Sequence, residues 1–261
     1  MGTLHATERF GEVDALRGTA VMMMIVYHTL FDLDFVGVLD LDMGSPVIWF
    51  TGRLTAFLFI FLVGVSLSLS HSRRGVTSRW YYIIRGLKIF LWGMVITAAT
   101  WIYPHNGFIA FGVLHFIGLA VILTHPLAGR RTAALALSVI AIITGALMSG
   151  LRVETPILMW LGIRPYNIYT LDYFPLFPWL GVVLLGIFTG DTIYQGYRRR
   201  FGLRVWSPHL LQLIGRNSLK VYLIHQPVIV GIIWAAMAWT ILIKGLLTGK
   251  NQKFIISKKE S

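Results

Sequence analysis

Cysteine is absent from this chain of 261 residues. Disulfides, thiolate zinc centres and cysteine nucleophiles are thereby excluded. Charge is scarce as well: Asp, Glu, Lys and Arg make up only 13% of the residues, roughly half the share usual in soluble domains. What charge there is leans to one sign, with 23 basic residues against 11 acidic ones and a formal net charge of +12. The basic residues stand in short loops between apolar runs rather than in a stripe with polar or aromatic partners. No nucleic-acid face is therefore expected.

What is present is apolar side chain, 56% of the total. Seven runs approach the roughly 20 helical residues that cross a bilayer core of about 30 Å. They cover residues 13–35, 47–70, 80–101, 108–123, 132–151, 174–194 and 219–243. The expected fold is an all-α polytopic membrane bundle of about seven transmembrane helices. Residues 1–11 form a cytoplasmic N-terminal segment in this reading, 12–245 a single transmembrane domain, and 246–261 a disordered Lys-rich tail. The first run lacks a small-residue cleavage pattern after it and reads as a retained helix rather than a secretion signal. No internal repeat is evident, which counts against the inverted-repeat transporters.

Orientation follows from the loops. Arg73, Arg74, Arg79, Arg130, Arg131 and the run Arg198-Arg-Arg200 fall on one side, while Asp40, Asp42 and Glu154 fall on the other. The amino terminus is thus expected in the cytoplasm and the loop 152–173 outside. Seven spans then put the carboxyl terminus outside, where Lys250, Lys253, Lys258 and Lys259 fit poorly.

Ionisable residues inside apolar helices are costly and mark function by default. Arg17 and His28 stand eleven residues apart on the first run, and Asp32 follows one turn later on the same face. At about 1.5 Å per residue, His28 lies ~22 Å in from the cytoplasmic end of its span. Arg53 and His115 enter from outside to ~10 Å and ~11 Å, at a similar level. A second, cationic layer of Arg17, Arg85, Lys88, Arg216 and His225 lies toward the cytoplasm and suits phosphates. Simpler readings compete: Arg17 pairs with Asp14 at the helix start, Arg85 and Arg216 snorkel to head groups, and His225 bonds a neighbouring helix.

Three stretches also carry a family likeness. Residues 12–28 resemble the first helix of the transmembrane acyltransferases, with its arginine and following histidine. Phe111-Gly-Val-Leu-His-Phe-Ile-Gly118 is similar to the Gly-Val-Leu-Gln-Arg-Leu-Gly stretch of heparan-alpha-glucosaminide N-acetyltransferase. Gly215-Arg-Asn-Ser-Leu-Lys-Val-Tyr-Leu-Ile-His-Gln-Pro227 is similar to the last motif of that enzyme's relatives, and the small prokaryotic members match best. Two departures stand out: His115 replaces a glutamine, and 36–46 holds no histidine where the lysosomal enzymes place theirs.

The resemblance implies an integral membrane acyltransferase of the prokaryotic cytoplasmic membrane. Its donor would be cytoplasmic acetyl-CoA or another acyl-CoA. The acceptor would be an amino or hydroxyl group of a glycan or lipid-linked molecule at the outer side, with no metal required. His28 is then expected as general base, Asp32 as the group fixing its tautomer, and Arg53 as oxyanion stabiliser. His115 joins them as a fourth catalytic candidate. Membrane lipids are the expected surroundings, a homo-oligomer is compatible, and no nucleic acid is expected. Two other classes fit the same residues: a transporter or lipid flippase with a His/Asp/Arg intramembrane site, and a haem-b electron carrier.

Overall fold

A computed structural model describes residues 9–74, 78–105, 107–194, 197–200 and 207–257. Eight α-helices are found among the described residues: α1 Gly11–Phe35, α2 Pro46–Arg74, α3 Arg79–Ile102, α4 Val113–Thr124, α5 Arg131–Met148, α6 Leu176–Ile193, α7 His209–Arg216 and α8 Ser218–Ser257. Extended structure is confined to a two-residue parallel pair, β1 Arg152–Val153 and β2 Arg164–Pro165, and one isolated bridge from Phe111 to Tyr173.

Five helices, α2, α3, α5, α6 and α8, are long and apolar enough to cross a membrane. Two of the seven expected spans fall short of that standard. α1 has the length but carries Glu12, Asp14, Arg17, Asp32 and Asp34. α4 has only 12 residues, because the chain before Val113 is held as a loop. α6 breaks helical geometry at Phe177 (φ −101°, ψ 133°), as a residue before proline tends to do. α8 is drawn as one helix from Ser218 to Ser257, and no proline follows Pro227 within it. Residues 258–261 of the expected tail lie outside the described residues.

The described residues fall into two compact units. The first comprises Gly11–Thr55 and the described residues of Ser207–Ser261. In it α7 lies against the start of α1 with backbones nearly touching. A Cβ on Gly18 would strike the Leu211 carbonyl, and one on Gly215 the Asp14 carbonyl. Without a hydrophobic drive between helices in lipid, such small residues allow the dispersion contact that holds them. Two turns further along, α8 takes over as the neighbour of α1. Gly18→Leu is expected to cost about 1–3 kcal/mol or more by overpacking. An unchanged thermal midpoint in detergent, read by tryptophan fluorescence, would contradict the crossing.

The second unit holds Arg9, Phe10 and the described residues of Ala56–Trp206. There α2 and α6 cross at Gly64 and Gly186, each facing a carbonyl of the other helix. Phe116, Ile60, Leu67 and Ile187 form its fully buried core. Exposed Leu91, Val95, Ile140 and Ile143 on α3 and α5 make faces suited to lipid tails. Asp191 ties three segments, accepting from the Ser68 hydroxyl at 2.5 Å and from the Gly129 N–H at 2.8 Å.

The loop between α5 and α6 reaches back to the start of α4. The Asp172 carboxylate accepts the Val113 N–H at 3.0 Å, supplying the cap that the glycine before it lacks. Tyr173, next in the chain, donates its hydroxyl to the Met159 carbonyl at 2.7 Å under the Arg164 guanidinium. Burial pushes this phenol above its ordinary value, against the pull of Arg164 and Arg152. A raised folded value means stability that is complete below about pH 10 and lost as pH climbs through the folded value. Going from about pH 8 to about pH 11, the parent protein should therefore lose more thermal stability than Tyr173→Phe. Equal losses would contradict this.

Candidate active site

In a helix, side chains lean back toward the preceding turn. His28 obeys this, and its Nδ1 meets the Met24 carbonyl at 2.9 Å. A carbonyl only accepts, so Nδ1 carries the hydrogen and Nε2 keeps its lone pair in the neutral ring. His225 on α8 repeats the device, with Nδ1 at 2.6 Å from the Tyr222 carbonyl. The two rings meet edge to face with centroids 4.9 Å apart. His28 is half-buried, while His225 is only 8% exposed.

This pairing corrects the depth assignment of His225, which the helix count puts in an inner cationic layer away from His28. Depth was counted from the start of each span, and those starts are not level. α7 occupies the place beside Asp14 and Gly18, so α8 begins further along α1. His225 thereby comes level with His28.

Asp32 is buried one turn beyond His28, close enough for electrostatic attraction to it. Its hydrogen bonds go elsewhere. Gln226 donates Nε2 to both carboxylate oxygens, at 2.8 and 2.9 Å. The tautomer of His28 is therefore set by the Met24 carbonyl, not by Asp32 as expected. Asp32 instead offers a charge across the α1–α8 contact. Gln226 was not singled out in the sequence, although an amide within an apolar helix beside a histidine is a signal of this kind.

At the other end of this unit, Asp14 accepts from Arg17 at 3.0 Å and from Arg216 at 3.3 Å, and Arg216 also reaches the Gln212 oxygen at 3.1 Å. Two guanidiniums share the Asp14 carboxylate. The local pairing of Arg17 with Asp14 is thus present, and Arg216 joins it through space.

Arg53 is exposed and lies over the Trp49 ring of its own helix, 5.5 Å from the centroid. Such a cation–π contact steadies an exposed guanidinium. Arg85 is half-buried and Lys88 exposed, both on α3 in the second unit.

His115 is also in the second unit, and both of its nitrogens are engaged. Nδ1 accepts the Gly112 N–H at 3.2 Å, and Nε2 lies 3.2 Å from Thr97 Oγ1, whose hydroxyl donates to the Ile109 carbonyl at 2.6 Å. At the third position of α4 it satisfies the backbone N–H of the N-cap residue, which is the part glutamine or glutamate plays in a capping box. These bonds give His115 a structural part in opening α4. The rest of that motif is structural as well: Gly112 faces Asp172, and Gly118 lies against Gly86 of α3.

Among known proteins, no curated protein and no solved structure matches this chain. A family does, and the match ends on the proline directly after the His225–Gln226 pair, so that it encloses the paired imidazoles, the Asp32 carboxylate and the Asp14 ion triad. Over residues 9–227 the sequence fits the description "Heparan-alpha-glucosaminide N-acetyltransferase, catalytic", and the chain belongs to that family.

Proposed function

We propose that this protein is a membrane acetyltransferase that moves the acetyl group of acetyl-CoA to an amino or hydroxyl group, with His28 as general base. The observation that carries the reading is the His28 ring, held at Nδ1 by the Met24 carbonyl with its basic Nε2 kept for a proton. Family membership supplies the reaction class. The acceptor's N–H or O–H gives its proton to Nε2 as its lone pair attacks the thioester carbonyl. The C–S bond then breaks and the thiolate of coenzyme A takes the proton. An imidazole can both accept and return a proton at neutral pH. Asp32 stabilises the imidazolium that forms between these steps.

In this reading seven helices, α1 and α4 among them, span the cytoplasmic membrane, and the amino terminus is cytoplasmic. The Arg17–Asp14–Arg216 cluster then stands about 16 Å along α1 from His28, counting eleven residues at helical rise. That spacing suits a donor whose phosphates stay at the surface while its slender arm reaches inward. Arg85 and Lys88 are further candidates for those phosphates, and a glycan or lipid-linked molecule is the proposed acceptor.

The protein lacks cysteine, so a thiol reagent detects released coenzyme A with no background from the chain. Purified protein in liposomes should release thiol from acetyl-CoA only when an amine- or hydroxyl-bearing acceptor is supplied. Movement of the acceptor across the bilayer with no thiol released would overturn the reading in favour of a transporter.

A further inference from the structure

Resting on the acetyl-transfer reading, we propose that His225 is a positioning residue for the proton that His28 removes. The two imidazoles act as one pair, and His225 Nε2 accepts the N–H of His28 once that ring is charged. Three observations carry this. The rings are in contact, 4.9 Å between centroids and 79° between planes. His225 Nδ1 is committed to the Tyr222 carbonyl, which leaves Nε2 as an acceptor. That Nε2 is buried and meets no hydrogen-bond partner among the described residues.

A buried acceptor without a donor costs free energy in the resting state. The cost is relieved when an imidazolium N–H forms beside it. Such an arrangement favours the charged state over the resting one, and only interactions gained on the way to the transition state accelerate a reaction. The other ionisable groups facing the pair are Asp32 and Tyr27 on α1 and Tyr222 on α8. Asp32 attracts the new charge, and the phenols add none. Two imidazolium rings in contact would repel, so the pair holds one proton rather than two. The balance is simple: one proton leaves the acceptor for His28, is shared with His225, and departs on the thiolate of coenzyme A.

His225→Leu removes the acceptor atom, and His225→Gln keeps one. His225→Leu is expected to lower kcat by about tenfold or more, with KM for acetyl-CoA within about twofold of the parent. His225→Gln should recover most of that loss. Raised KM with unchanged kcat in His225→Leu would return His225 to donor binding and overturn the proposal. A second measurement does not need turnover: nitrogen-15 spectra of labelled histidine in nanodiscs, compared between the parent and His225→Gln. The parent pair should take up one proton between about pH 8 and about pH 5. Independent protonation of both rings would overturn the pairing. A parent protein without transfer activity would defeat the acetyl-transfer reading, and these spectra would still decide whether the rings share a proton.

Discussion

His28→Ala is expected to release coenzyme A from acetyl-CoA about 10²–10⁴ times more slowly than the parent, the usual contribution of a positioned general base. The fold should survive, because the ring's hydrogen bond among the described residues goes to the carbonyl of Met24, which already serves as an acceptor within the helix. Loss should fall on kcat and not on KM for acetyl-CoA, since the ring contacts the proton rather than the donor's phosphates. Asp32→Asn should slow turnover less, because Asp32 acts on His28 through charge and not through a direct hydrogen bond. Undiminished release by His28→Ala, in protein shown to be folded, would remove this histidine from the chemistry.

The second large effect is on stability and comes from the other buried histidine. His115→Leu strips the acceptor from the buried Gly112 N–H and a donor from the half-buried Thr97 hydroxyl, which keeps its bond to the Ile109 carbonyl. The buried N–H left unsatisfied puts the loss at about 1–3 kcal/mol. His115→Gln should keep most of the stability, because glutamine at this helix position reaches the same N–H. Thermal unfolding in detergent checks both. Activity per folded molecule should stay near that of the parent. A His115→Leu protein as stable as the parent but inactive would reverse the assignment and make His115 catalytic.

Much of the helical architecture was legible in the apolar runs, because length and composition decide what lipid accepts. The break at Phe177 was foreshadowed by Pro175 and Pro178. What could not be read was level. Residue counts give distance along a helix but no common zero, so His225 was placed a layer away from the ring it touches. The missing datum is α7, whose seat beside Gly18 raises the start of α8. Two histidines in similar apolar helices likewise look alike in sequence. Only hydrogen-bond partners separate His115, with both nitrogens engaged, from His28, with one left over. The substitution of histidine for glutamine at 115 is explained on the same ground, since both side chains can accept the N-cap N–H.

The division of labour between binding and chemistry is tested most directly by calorimetric titration of coenzyme A into the parent and His28→Ala proteins, beside thiol release from acetyl-CoA by the same samples. The expected result is binding within about threefold in both proteins, a difference below 1 kcal/mol, with release confined to the parent. Loss of binding together with loss of release would contradict the account, since His28 would then belong to the donor's seat and not to the proton's path.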